Sequence, residues 1–187
     1  MAALATSSPY RWPWHGRFQA SRTAVVVAHD GSGPMPPGAP WDRLEALMAR
    51  ARSAALALVG LPHVNCPPAG VLDPRNLTFV VARPHVGGFS GTDLDFQLRC
   101  RGIDCLVFAG FPFEIGADTT MRQANDLGYE CLALTDCCTG VTAETLAGAF
   151  HSIEMSGGIF GAIATSEAFL ALIDAPATSP TKDEETE

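Results

Sequence analysis

The sequence predicts an α/β protein, a three-layer, doubly wound fold whose sheet is mostly parallel. Three observations predict it. Thr23 to His29 is a continuous, largely β-branched run, the pattern of a strand covered on both faces. Beyond it, strand-like and helix-like segments alternate, as crossovers between parallel strands require. Gly- and Pro-rich breaks punctuate the alternation.

The elements follow in order. After a Pro- and Trp-bearing arm (residues 1–22), the first strand ends at Asp30-Gly-Ser-Gly-Pro-Met-Pro-Pro-Gly, where the chain cannot continue extended. Trp41 to Val59 carries Leu44, Leu47, Met48, Ala51, Ala55 and Leu58 at spacings of three and four, a helix with one apolar face. Leu61 to Cys66 is a short second strand, followed by a Pro-rich loop, and Leu77 to Ala82 a third strand. Thr92 to Arg101 is a helix, Asp104 to Gly110 the best internal strand, Gly116 to Leu127 a helix and Glu130 to Thr135 a strand. Thr142 to Ile153 is helical and Ala162 to Thr165 the last strand. Ser166 to Ile173 closes the domain (residues 23–174) as a helix with Ser166 as its N-cap. The polar, acidic tail from 175 to 187 is expected to be disordered. Ligands of such sheets bind beyond the carboxyl ends of the strands. The positions to inspect are therefore His29, Ala82-Arg83 and the segment from Gly110 onward.

Composition narrows the function. The 187 residues fit one domain, and 47% hydrophobic against 17% charged residues gives material for a core. The formal charge of −8 offers no basic surplus to neutralise phosphates, which argues against nucleic-acid binding. No apolar run approaches the roughly 20 residues of a membrane span, and the first residues do not read as a secretory signal. A cytoplasmic protein without membrane contact is expected. Its six cysteines (Cys66, Cys100, Cys105, Cys131, Cys137, Cys138) lack the paired spacing of a zinc site and read as free, mostly buried thiols. No phosphate loop is present.

Phe89-Ser-Gly-Thr-Asp-Leu-Asp-Phe-Gln-Leu-Arg-Cys-Arg-Gly-Ile-Asp-Cys-Leu-Val-Phe-Ala-Gly110 and Thr120-Met-Arg-Gln-Ala-Asn-Asp-Leu-Gly-Tyr129 resemble the isochorismatase-like superfamily. This group includes cysteine amidohydrolases acting on nicotinamide, carbamoylsarcosine, biuret and ureidoacrylate. Pro9 to Trp14, Arg22 to Val27 and Glu154 to Thr165 extend the likeness. The resemblance implies an Asp at the end of the first strand, a Lys shortly before the Phe-x-Gly-Thr-Asp segment, and a nucleophilic Cys opening the helix after the fourth strand. Counted without gaps, those positions hold His29 (with Asp30 one step later), Arg83 and Gly116. A glycine has no side chain to attack with, so the thioester route is closed. True isochorismatases also carry Gly there and cleave a vinyl ether by acid catalysis, but they keep the Asp and the Lys.

The substituted residues suggest other chemistry. His29 has a side chain suited to moving a proton near neutrality; its alternative is a core histidine bonded to a carbonyl. Arg83 cannot shuttle protons, but its fork can hold an anion, unless it is spent in a salt bridge to Asp30 or Glu114. Glu114 is a second acid/base candidate or else a solvated loop carboxylate. Asp30 should face away from His29 if the strand persists, and takes the family's Asp role if the strand ends early. The resemblance implies a cis peptide four residues before the Cys position, here Phe111–Pro112, which would keep anion-binding N–H groups at the helix start beside Gly116. Phe111, Phe113, Phe89, Trp12 and Trp14 could wall an aromatic pocket. No cofactor and no metal site is expected: residues 30–76 offer only His63 beside Asp42 and Asp73.

Two functions follow. One is a repurposed enzyme doing non-covalent acid/base chemistry (hydrolysis, elimination, cyclisation or isomerisation) on a small anionic cyclic metabolite, with specialised metabolism as the setting. The other is a catalytically silent binding or structural subunit. Either is expected as a homo-oligomer, a dimer or tetramer, or as a hetero-oligomer with a relative. Convergence of His29, Arg83 and Glu114 on one solvent-reachable cavity favours the enzyme, whereas an Arg83 that fills the cavity with a closed salt bridge favours the silent subunit. A third option, an amidohydrolase with Cys138 or Cys105 as displaced nucleophile, depends on a reactive thiol.

Overall fold

The computed structural model describes residues 2–30, 39–66 and 72–175. Its strands are β1 (Thr23–His29), β2 (Ala57–Pro62), β3 (Phe79–Val80), β4 (Cys105–Phe111), β5 (Glu130–Leu134) and β6 (Ala162–Ala164). The helices are α1 (Ala39–Ser53), α2 (Leu94–Arg99), α3 (Asp118–Asp126), α4 (Ala143–Met155) and α5 (Ser166–Asp174). One six-stranded sheet runs β3-β2-β1-β4-β5-β6, with every neighbouring pair parallel. The order reverses between β1 and β4. Because crossovers are right-handed, strands added in opposite directions from that point put α1 on one face and α3 and α4 on the other. β1 and β4 are buried at every position, which explains why both read as unbroken apolar runs.

The arm packs back on the domain: Leu4 bridges to Trp12, Ser8 bridges to Ile163, and the buried Trp12 ring lies among Phe18 and Phe169. The expected break at 31–38 and all of the expected tail except Ala175 lie outside the described residues. Among the described residues no helix is long and apolar enough to cross a membrane. The six cysteines are free; Cys100 is exposed and the rest are buried.

Two element boundaries differ from the sequence reading for a common reason. The helix expected to run to Val59 stops at Ser53, and the strand expected at Leu61 to Cys66 begins at Ala57. Ala55 adopts a left-handed φ of 61°, while Leu56 N–H bonds Ala51 C=O and Ala55 N–H bonds Arg52 C=O, closing the helix in a Schellman motif. The stop carries no glycine, and the apolar run continues through it. The N-cap of α5 is Thr165, whose hydroxyl accepts from Ala168 N–H, and not Ser166. Ser166 instead donates its hydroxyl and N–H to the Asp136 carboxylate. The third strand shrinks to two residues at the sheet edge.

Candidate active site

The switch point between β1 and β4 is where an open parallel sheet presents a crevice. His29 and Phe111 end the two strands in register, and Asp30 N–H continues the ladder to Phe111 C=O. Pro112 follows in a cis peptide, as the sequence suggested. The chain then enters a π-helical turn, Phe113–Ala117, that leads into α3 and carries Gly116. Thr120 fixes this turn by donating its hydroxyl to Gly116 C=O while accepting from Gly88 N–H. Thr120 was visible in the sequence only as part of the family-like motif.

Arg83 lies three residues past β3, bridged to His63 beside the end of β2. Its side chain is fully buried, and every guanidinium nitrogen is engaged. Nε donates to Leu61 C=O at 2.9 Å, Nη1 to His85 C=O at 3.4 Å and to Val86 C=O, and Nη2 to His29 C=O at 3.3 Å and to Asp30 Oδ1 at 2.6 Å. Those five acceptors match the five N–H donors of a guanidinium. The sequence could not show this, because four of the acceptors are backbone carbonyls.

The pair sits against Gly116. A Cβ built there would stand 2.3 Å from Asp30 Oδ2, 2.7 Å from Arg83 Nη2 and 2.8 Å from its Cζ. The room that a side chain at 116 would need is therefore taken by the ion pair. Asp30, rather than His29, is the side chain that meets Arg83 and Gly116, although β1 persists through residue 29. Asp30 Oδ2 is buried without a hydrogen-bond partner, and so is His29 Nδ1. Burial lowers the His29 pKa and Arg83 lowers it further, while Asp30 raises it; the net direction is down, a neutral imidazole.

Glu114 and the aromatics expected at the site have partners of their own. Glu114 Oε1 accepts from Val141 N–H and the Thr145 hydroxyl, both at 2.6 Å, at the amino end of α4. Burial raises its pKa, but these hydrogen bonds outweigh it and the net direction is down. Among the described residues no ion pair joins Glu114 to Arg83. Phe113 packs on Phe150 of α4 and Phe111 on Trp41 of α1, so only these two of the proposed aromatics flank the crevice, and both are buried. Phe89 stacks on Tyr129, at the start of β5. Trp14 is 63% exposed beside Tyr10 and His15, in a pocket with Arg22, Asp104 and Glu130 at the amino end of the sheet. Neither Phe89 nor Trp14 joins Asp30, Arg83 and Gly116.

Cys138 and Cys105 are poorly suited as substitute nucleophiles. Burial pushes the Cys138 thiol well up, and the Cys105 thiol, at the far end of β4, up to about 12. Among the described residues no group of three or more His, Cys, Asp or Glu side chains is placed to hold a metal ion.

Comparison with known proteins agrees with the fold. A family model described as the isochorismatase domain matches residues 44–168. The chain is 42% identical over 66 residues to an uncharacterized isochorismatase family protein, YwoC, of Bacillus subtilis, covering 35% of each chain. It is 29% identical over 183 residues to the ureidoacrylate amidohydrolase RutB of Methylobacterium radiotolerans, covering 96% of this chain and 66% of that one. The chain thus spans about a third of the first relative and just under two thirds of the second. Among solved structures, a cysteine hydrolase from Pseudomonas syringae aligns with a TM-score of 0.77 at 21% identity, covering 88% of this chain and 96% of that one. YcaC from Pseudomonas aeruginosa aligns at 0.71 and 14% identity, covering 83% of this chain and 81% of that one.

Proposed function

This chain belongs to the isochorismatase family, and from that premise we propose that it is a member without thiol-dependent hydrolysis, working as a binding or structural subunit. One observation carries the reading: the Asp30–Arg83 ion pair stands where a nucleophile at 116 would stand. The amide hydrolysis named for RutB needs an attacking group, and Gly116 supplies none. An anionic ligand gains nothing from Arg83 either, because each of its N–H groups already has an acceptor inside the chain. Placing a second negative charge beside Asp30 would be unfavourable. The test is ammonia release from a panel of ureido, carbamoyl and carboxamide compounds. None is expected: release that is abolished by exhaustive thiol alkylation would restore thiol-dependent hydrolysis, release that survives it would make the chain a thiol-independent enzyme, and either overturns the reading.

A second reading has its own support. Asp30 Oδ2 and His29 Nδ1 are unpartnered, adjacent in the chain and buried at the crevice. Such leftover capacity suits non-covalent proton transfer on a small ligand. A thermal-shift screen of metabolites on the wild type and on Asp30→Asn separates the two. A stabilising compound that is also turned over, with both effects lost in Asp30→Asn, establishes acid/base catalysis with Asp30 in place of His29 as the leading residue.

A further inference from the structure

We infer that the amino end of the sheet, opposite the crevice, holds a second small-molecule site, one for a free α-amino acid: Arg17 takes its carboxylate, Glu130 its ammonium group and Trp14 its side chain. The inference goes beyond the proposed function and uses none of its residues. β1, a seven-residue strand, separates the two places by about 20 Å.

The place is built by the arm. Trp12 is fully buried among Phe18 and Phe169, which anchors the chain on both sides of a tight turn, Pro13 to Gly16. Gly16 N–H closes that turn on Pro13 C=O at 2.9 Å, with a φ of 61° that glycine adopts at no steric cost. The tip of the turn presents Trp14 and His15, whose rings meet edge to face at 5.0 Å, with Tyr10 edge-on to Trp14 at 6.3 Å. Trp14 is thus held by its neighbours and yet remains mostly exposed. Such a ring adds little to the core. It is a ready wall for the apolar part of a ligand, with little ordering left to do on binding.

The charges around the ring do not cancel among themselves. Trp14, Arg17, Arg22, Asp104 and Glu130 line a cavity of about 160 Å³, below the roughly 300–1,000 Å³ of sites for drug-sized ligands. Arg22 and Asp104 form an ion pair with each other. Glu130 Oε1 accepts from the Tyr10 hydroxyl at 2.5 Å. Among the described residues Glu130 Oε2 accepts no hydrogen bond, Arg17 has no acceptor, and no ion pair joins the two. Burial pushes the Cys105 thiol in the wall up to about 12, so it adds no charge. One cation and one anion therefore remain unmatched on a single small cavity beside an open aromatic ring. A simple anion would meet Arg17 but also approach two carboxylates, and a simple cation would meet Glu130 but approach two guanidinium groups. A small molecule carrying both charges and an apolar group matches all three features.

Isothermal titration of the full chain with the common L-amino acids, one at a time at millimolar concentration, tests this. One with an apolar side chain is expected to bind. Arg17→Gln and Glu130→Gln should each weaken it about fivefold, the upper end for a half-exposed ion pair, and Trp14→Ala by a similar factor. The corresponding amine and the corresponding carboxylic acid, each short of one charge, should bind more weakly by the same order. Arg17 and Trp14 are exposed, and a glutamine at 130 can still accept from Tyr10, so each variant should stay folded by circular dichroism. No binding by any amino acid, binding indifferent to the three substitutions, or equal binding of the amine or the acid overturns the inference. Binding lost in Asp30→Asn but kept in Arg17→Gln places the ligand in the crevice and overturns it as well. None of these results bears on ammonia release, so this test and that of the proposed function fail separately.

Discussion

Arg83 and Asp30 form an ion pair, 2.6 Å between Nη2 and Oδ1, against the backbone of Gly116. Arginine is longer and broader than the lysine that the family resemblance leads one to expect, and glycine is smaller than the cysteine. The two departures compensate in volume. Burial of the pair is made tolerable by the backbone carbonyls that satisfy the remaining guanidinium donors.

This compensation predicts a coupled pair of substitutions. Gly116→Ala pushes a methyl group into the Asp30 carboxylate and the Arg83 guanidinium, a cost of about 1–3 kcal/mol for overpacking. Arg83→Lys alone removes donors from the carbonyls of Leu61, His85 and Val86, at a cost of about 1–3 kcal/mol. Made together, the two should destabilise less than their sum, because the slimmer ammonium vacates the space that the methyl group needs. Urea denaturation of the four proteins in the cycle reads this directly; strict additivity would mean that the guanidinium does not fill the site.

Acid should reveal the buried imidazole. The folded pKa of His29 lies below its ordinary value, so between about 6.5 and the folded pKa the unfolded chain binds the extra proton. Stability from this group is therefore complete above about 6.5 and is lost as the pH falls through that window. The urea midpoint of the wild type should drop on going from pH 7.5 toward 5, and His29→Gln should flatten that limb. An unchanged slope in His29→Gln would place the titration elsewhere.

Much of the fold was legible because its signals are local. β1 and β4 are unbroken apolar runs, and α2 and α3 end at Gly102 and Gly128, glycines with φ of 69° and 82°. The crevice was legible as a place, since the ends of β1 and β4 were the positions to inspect. Its wiring was not. Which of His29 and Asp30 meets Arg83 depends on one residue of chain path at the end of a strand, and what holds Arg83 is mostly backbone. Glu114 read as a catalytic acid because it is two residues from Gly116; its partners at 141 and 145 are distant in sequence.

Glu114 therefore supplies a sharp test of role. Its carboxylate accepts from Val141 N–H, just before the Thr142 N-cap of α4, and from the Thr145 hydroxyl, so Glu114→Ala should cost about 0.5–1.5 kcal/mol, the usual net worth of such a hydrogen bond, and should lower the melting temperature. It should leave any thermal shift from a ligand held at Asp30 unaltered. A ligand effect that disappears in Glu114→Ala while folding is intact would return Glu114 to the site.

The alanine that ends α1 offers the converse, a stabilising change. Ala55 holds a φ of 61°, where an L side chain crowds its own carbonyl at roughly 1–2 kcal/mol. Glycine relieves that crowding and costs part of it back through the freedom it adds to the unfolded chain. The side chain of Ala55 is exposed, so no core contact is lost. Ala55→Gly should thus raise stability by about 0.5–1 kcal/mol, seen as a higher urea midpoint with an unchanged slope. Ala54→Gly, one residue earlier, has no positive φ to relieve and should destabilise. If the two substitutions behave alike, the Schellman geometry at Ala55 is not the stop that separates α1 from β2.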